Sequence, residues 1–206
     1  MRRFILRQNL RRFEMQLSNA SDGDEQRYFQ EMIADVRREL EHLEHLWRIL
    51  CPGLGISYLL GEEAENILDH AVMADHAQFG SLYIWNEATR SLALLAQTNL
   101  DGTFVDRFAE IREGDGSVCA SALRSPTPVS VTDLDTTEFF PCLSEWRRAV
   151  GIRSIVSTPV IGNNDKCVGV YSLYFRAPHS ISDGDGLLLS TYAAKFRDLF
   201  TAMGYG

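Results

Sequence analysis

Ile152-Arg153-Ser154-Ile155-Val156-Ser157-Thr158-Pro159-Val160-Ile161 and Cys167-Val168-Gly169-Val170-Tyr171-Ser172-Leu173-Tyr174-Phe175 flank Gly162-Asn163-Asn164-Asp165, and this stretch decides the fold. Both runs are rich in β-branched and aromatic residues, which suit a pleated, packed surface. The residues between them supply the turn chemistry of a hairpin. Apolar side chains occupy both alternating faces of each run: Ile152, Val156 and Val160 against Ile155 and Ile161, then Tyr171, Leu173 and Phe175 against Val168 and Val170. A strand that is apolar on both faces has to be covered on both. The expected frame is a central sheet with a layer on each side, and function has to come from what lines one of those faces.

Upstream of this frame the chain begins with helical periodicity. Leu6, Leu10, Phe13 and Leu17 follow a 4-3-4 spacing, and Ser18-Asn19-Ala20-Ser21-Asp22-Gly23-Asp24 breaks it with cap and turn residues. A longer heptad seam follows through Phe29, Ile33, Val36, Leu40, Leu43 and Trp47. Helices joined by so short a loop fold back as an antiparallel hairpin or pair with a second subunit. Leu6, Leu10, Phe13, Leu17, Ile33, Val36, Leu40, Leu43 and Trp47 are therefore the candidate dimer-interface residues. His42 and His45 have no carboxylate or Cys partners at metal-binding spacing and read as surface or interface residues. Cys51-Pro52-Gly53-Leu54-Gly55 cannot continue a helix, so it divides a helical segment, 1–50, from a domain, 51–206.

Within that domain, 62–78 reads as a helix through Ile67, Ala71, Met73 and Ala74. Residues 79–85 and 91–98 read as strands, and 103–111 as a short helix carrying Phe104, Phe108 and Ile111. Glu113-Gly114-Asp115-Gly116 leads into a small-residue helix start at 117–122. Residues 128–131 form a short strand, and 133–142 an acidic loop with Phe139 and Phe140, followed by a short helix through Trp146 and Val150. Ser182-Asp183-Gly184-Asp185 resembles a capping box, opening a last helix through Leu188, Tyr192, Phe196 and Leu199.

The composition limits the function classes. At 206 residues and 45% hydrophobic content the chain can bury one good core. The net charge of -8 lies beyond residue 50: 1–50 hold nine Arg and nine acidic residues, whereas 51–206 hold eleven basic and nineteen acidic. That excess argues against nucleic acid as a partner. Arg2, Arg3, Arg7, Arg11 and Arg12 read as a solvated helix face. No apolar run has the length of a signal peptide core or a membrane span, which predicts a cytoplasmic protein with no membrane insertion. Cys51, Cys119, Cys142 and Cys167 are widely spaced, without a C-x-x-C pair, so neither a metal site nor a disulfide framework is expected.

The order of elements, Gly114-Asp115-Gly116-Ser117-Val118-Cys119, Pro126-Thr127-Pro128-Val129, the Arg153-Ser154-Ile155-Val156-Ser157-Thr158-Pro159-Val160 string and the Pro178-His179 pair together resemble the GAF domains of bacterial sensor kinases and response regulators, over about residues 57–203. The resemblance implies an α+β fold, an α/β/α sandwich with a mostly antiparallel six-stranded sheet and helices on both faces, preceded by the N-terminal helical hairpin. It also implies a pocket roofed by the loops around 101–122 and 133–150, and a homodimer formed through terminal helices. In that family the ligand ranges from cyclic nucleotides to bilins, haem and small metabolites.

The reading that follows is a non-catalytic sensory or regulatory module that takes a small molecule, of unknown identity, or none. No cofactor is assigned. The signalling partner would be a histidine kinase or response regulator of a two-component system. Candidate pocket residues are Tyr83, Trp85, Cys119, Phe139, Phe140, Arg153, Ser157 and Tyr171. No kinase, cyclase or DNA-binding motif follows Gly206, so if the chain is the whole protein its output is expected through a partner or through the N-terminal helices, and a piece of a larger sensor reads the same way.

Other readings stand beside it. Some GAF proteins resemble free methionine sulfoxide reductases, which need a low-pKa attacking thiol and a resolving one. Cys119, near a helix start, and Cys142 are the candidates, but acidic ligands for the substrate amine cannot be placed. A bilin would need a Cys-His pair, and Cys119 is followed by Ala120. Arg153 and the amides of 114–116 suit a phosphate, yet Asp115, Asp133, Asp135 and Glu138 favour a basic or zwitterionic metabolite over an anion. A dimerisation scaffold with a filled pocket accounts for the heptad seam equally well.

Overall fold

The first helices meet along the seam their spacing sets out. The computed structural model of the chain describes residues 2–50, 58–136 and 144–205, and its first unit, Met1–Pro52, is built on α1 (Arg2–Asn19) and α2 (Gly23–Leu50). Asp24 and Glu25 occupy the first turn of α2, where carboxylates complement the helix dipole. Leu6, Phe13, Ile33, Val36 and Leu40 are buried in one cluster, with Leu10, Leu17, Phe29 and Met32 packed against it. The Phe13 and Phe29 rings lie 6.4 Å apart, and Arg37 reaches across to Glu14 at 2.9 Å. These seam residues pack within the chain's own hairpin, where a connection of three residues brings the two apolar stripes together. The side chains of Leu43 and Trp47 lie outside the described ones.

The second unit, Gly53–Gly206, runs α3 (Tyr58–Ala74), β1 (Phe79–Asn86), β2 (Ser91–Thr98), α4 (Gly102–Phe108), β3 (Glu110–Arg112), α5 (Val118–Leu123), β4 (Val129–Val131), α6 (Ser144–Val150), β5 (Ser154–Ile161), β6 (Cys167–Phe175) and α7 (Asp183–Ala202). Among the described residues six strands form one sheet in the order β3-β2-β1-β6-β5-β4, paired antiparallel throughout. The β5–β6 hairpin sits near its middle and is buried almost from end to end. Its turn closes with a Gly162 amide to Lys166 carbonyl bond of 2.8 Å and a left-handed Asp165 at φ 58°.

Strand alternation sorts the two faces. On β1, Gly80 lies so close to α3 that a Cβ there would stand 2.6 Å from Val72 Cγ2. On β6, Gly169 lies under the Phe200 ring of α7, and two residues on the Tyr171 ring centre is 5.1 Å from that of Phe196. This face belongs to α3 and α7. Ser81 and Tyr83 of β1, Ser172 and Tyr174 of β6 and Ser157 of β5 point the other way, toward α4 and α5.

Three element readings need correction. The expected helix over 103–111 stops at Phe108, and Ile111 instead pairs with Leu92 in β3, because the free edge of β2 offers ladder hydrogen bonds that a frayed helix end lacks. On α3 the covered face is Ala64, Leu68, Ala71 and Val72, whereas Met73 is exposed. On α7 the inward positions are Leu189, Tyr192, Phe196, Leu199 and Phe200, with Leu188 only partly covered. The Ser182 capping box is present in full: Ser182 Oγ accepts from the Asp185 amide and Asp185 accepts from the Ser182 amide.

Candidate functional site

α5 has a strong start and packs close to the sheet. Gly116, at φ +67°, turns the chain in a region that glycine enters freely. Ser117 then caps the helix, its Oγ accepting from the Ala120 amide at 3.1 Å. Cys119, Ala120 and Ala122 are small enough for α5 to settle onto β5 and β6.

Beneath it lies a row of hydroxyls set by register. Ser157 of β5 is opposite Ser172 of β6, and Ser172 is opposite Ser81 of β1, so three serines from three strands stand side by side. Ser157 Oγ and Ser172 Oγ are 2.7 Å apart. Cys119 Sγ descends onto them, 3.2 Å from Ser172 Oγ and 3.7 Å from Ser157 Oγ. Ser81 Oγ shares a 2.7 Å hydrogen bond with the Tyr174 hydroxyl, which also meets Cys119 and Ser172. Tyr83 extends the patch and donates to the Phe108 carbonyl at the end of α4, 3.0 Å away. Phe104 of α4 covers Tyr174 edge-on at 6.1 Å.

The patch is closed and uncharged. None of its six residues is more than 5% exposed. Burial pushes the Cys119 thiol above its ordinary value, more than the hydrogen bonds from Ser172, Ser157 and Tyr174 pull it down. Burial likewise drives the Tyr83 and Tyr174 phenols well up. At neutral pH the site offers hydroxyls and a thiol, all of them neutral donors and acceptors. It holds no ready nucleophile or base.

Of the residues singled out in the sequence, the structure brings Tyr83, Cys119 and Ser157 together. Tyr171 belongs to the opposite face: its hydroxyl donates to the Leu189 carbonyl of α7 at 2.8 Å, since strand period places it out of phase with Ser172 and Tyr174. Trp85 is part-exposed at the end of β1, its Nε1 donating to Glu87 Oε2 at 2.6 Å. Arg153 is engaged, with Nε and Nη2 donating to Asp133 at 3.1 and 2.7 Å and Nε lying 2.9 Å from Asp135. Phe139 and Phe140 lie outside the described residues. Sequence reading missed Ser81, Ser172 and Tyr174. Their signal was available, as hydroxyls at alternate positions of otherwise apolar strands.

The acidic rim is also not free to repel anions. Arg147, buried, donates to Asp135 Oδ1 at 2.7 Å and to the Leu134 carbonyl at 3.0 Å, and Arg153 holds the Asp133 carboxyl below the usual carboxylate range. The expectation that these acids select a basic ligand fails for that pair, because each already has its guanidinium. Asp115 is likewise used locally, accepting from the Arg112 amide at 2.7 Å, and Glu138 lies outside the described residues. Among the described residues no group of three or more His, Cys, Asp or Glu is arranged for a metal ion, and no helix is long and apolar enough to cross a membrane. A groove of roughly 370 Å³ belongs to the first unit, bordered by Glu14, Leu17, Ile33 and Arg37, and has no part in the patch.

Solved structures share this architecture. A domain of a two-component sensor histidine kinase protein from Sinorhizobium meliloti 1021 superposes with a TM-score of 0.60 at 22% identity, covering 71% of this chain and 94% of that one. The GAF domain of an Acinetobacter phosphoenolpyruvate-protein phosphotransferase gives 0.58 at 18% identity, covering 78% and 95%. A free methionine-R-sulfoxide reductase from Neisseria meningitidis gives 0.57 at 18% identity, covering 78% and 87%. At such identities the likeness establishes the fold alone. No curated protein matches the sequence. Residues 60–197, which span the sheet and both of its helical layers from within α3 to within α7, match the family model for the GAF domain, and the chain belongs to that family.

Proposed function

We propose that this GAF domain is a non-catalytic sensory or regulatory module of bacterial signal transduction. It takes a small, uncharged or zwitterionic molecule on the serine row when α5 lifts. The carrying observation is the row itself: Ser81, Ser157 and Ser172, with Cys119 above, put neutral hydrogen-bonding groups where a core would otherwise be apolar. Polar groups in that position are tolerable only while paired, so a ligand that replaces their partners is recognised by the same bonds. Occupancy shifts an equilibrium between two helix arrangements by the ligand's differential affinity for them. The output passes, in a cytoplasmic homodimer, through the outer faces of the terminal helices to a histidine kinase or response regulator.

The enzyme reading, free methionine sulfoxide reduction, is weaker. The structurally similar Neisseria protein is a free methionine-R-sulfoxide reductase, but here a buried thiol with a raised pKa is a poor nucleophile. A scaffold with a permanently filled site is favoured by one observation, that the patch is already closed and paired.

Thermal shift against a metabolite panel separates these readings. A true ligand at 100 times its Kd stabilises the chain by about 2.7 kcal/mol, and Ser157→Ala weakens the response. A panel without a single hit, together with native mass spectra free of bound metabolite, leaves the scaffold. Turnover of free methionine sulfoxide that Cys119→Ser abolishes establishes the enzyme. Sedimentation at two concentrations tests the homodimer.

A further inference from the structure

Asp75 stands just beyond α3 and is only 8% exposed, and its Oδ2 has no hydrogen-bond partner among the described residues. A buried carboxylate oxygen without a hydrogen bond is costly, and proteins ordinarily pair or neutralise such a group. Its surroundings do neither well. It sits where the C-terminal end of α3 meets the N-terminal end of α7, a contact fixed by the Tyr192 hydroxyl donating to the His70 carbonyl at 3.1 Å.

The groups that face it come from every neighbouring element. They are Asp185 from the first turn of α7, His179 from the loop before that helix, His76 from the turn after α3, Tyr171 from β6 and Tyr192 from α7. Asp185 is held ionised by its capping bonds to Ser182. His179 is nearer to Asp185, with Nε2 3.8 Å from Oδ2, and its ring is stacked on Phe175 at 4.0 Å. The Tyr171 hydroxyl already donates to Leu189. Two carboxylates thus share one helix junction, and the capping bonds belong to Asp185.

We propose that Asp75 is a proton-operated latch: uncharged it lets the ends of α3 and α7 close, and ionised it pushes against Asp185 and loosens the first turns of α7. Burial and then Asp185, opposed by His179 and His76, push the Asp75 carboxyl up to about 6. A folded value above the unfolded 3.8 gives stability that is complete below 3.8 and is lost as pH rises through about 6. The latch lies on the face of the sheet away from the serine row, so mild acid is an input separate from any ligand there. It stands whether or not the sensory reading does.

The test uses the full chain and Asp75→Asn, which mimics the protonated state. Melting temperatures and amide exchange, corrected for intrinsic rates, are read between pH 7.5 and pH 4. The expected result is that Asp75→Asn melts above wild type at pH 7.5, that the gap narrows as pH falls through about 6 and closes only near pH 4, and that wild-type protection of 183–189 rises several-fold on acidification while the variant's does not. Parallel melting profiles, or α7 protection that follows pH equally in both proteins, overturn the proposal. If Asp75→Asn does not fold, carboxyl-detected NMR of wild type decides: a midpoint near 6 supports the latch, and one near 4 overturns it.

Discussion

Removing the Ser172 hydroxyl asks whether the row under α5 is a coupled network or three unrelated serines. Ser172 Oγ meets Ser157 Oγ at 2.7 Å and Cys119 Sγ at 3.2 Å, and all three residues are buried. Ser→Ala removes almost no volume, so the cavity cost is small and the cost is that of stranded polar groups. Ser157 would keep only the long 3.7 Å contact to sulfur. A buried group left unsatisfied costs about 1–3 kcal/mol, so Ser172→Ala should lose about 2 kcal/mol, and Ser157→Ala a similar amount by the reciprocal argument. In the double variant both ends of the 2.7 Å bond are gone and neither is stranded by the other. Its cost should be about 2–3 kcal/mol rather than about 4, a coupling of at least ~1 kcal/mol. For a domain of this size each kcal/mol lowers Tm by about 2–4 °C. Each single variant should therefore fall by about 4–8 °C and the double by little more. Urea unfolding followed by near-ultraviolet dichroism of the buried tyrosines supplies the free energies, provided the slope m is unchanged. Single losses under about 0.5 kcal/mol, or additivity within about 0.3 kcal/mol, would refute the network and with it the reason for placing recognition there.

Further expectations follow from other parts of the fold. Gly169→Ala puts a Cβ 2.4 Å from the Tyr83 carbonyl oxygen and 2.5 Å from Phe200 Cε2; since backbone cannot yield, a loss of about 3 kcal/mol or failure to fold is expected, and a melting temperature near wild type would contradict the close packing. Ser182→Ala removes the capping box of α7 and should cost about 1 kcal/mol, read as increased amide exchange confined to the first turn. Asp133, held low chiefly by Arg153, contributes stability present above pH 3.8 and lost as pH falls through its folded value; Arg153→Ala should flatten that acid limb, and an unchanged limb would show the ion pair to be idle. Cys119 should resist maleimide at pH 8 in the native state while its peptide labels fully in urea, because burial raises the thiol and blocks access. Rapid native labelling at Cys119 would reopen the enzyme reading.

Much of this protein follows from local rules that need no knowledge of the third dimension. Period-two alternation with apolar residues on both faces marks 152–175 as a strand pair covered on two sides, Ser182 and Asp185 mark the start of α7, and the 4-3 spacing of Leu6, Leu10, Phe13 and Leu17 marks a helix that needs a partner. Each is a property of a few neighbouring residues. The serine row is a different kind of fact. Ser81, Ser157 and Ser172 become neighbours only through the registers of β1 with β6 and β6 with β5, and alternation says that Tyr171 and Ser172 face opposite ways without saying which of them meets α7. The state of the Cys119 thiol and of the Asp75 carboxyl is equally unreadable from the chain, because desolvation depends on what the distant elements α5, β6 and α7 bring within a few ångströms. Local periodicity is written in the backbone's own geometry, whereas register and dielectric environment arise only when remote segments pack.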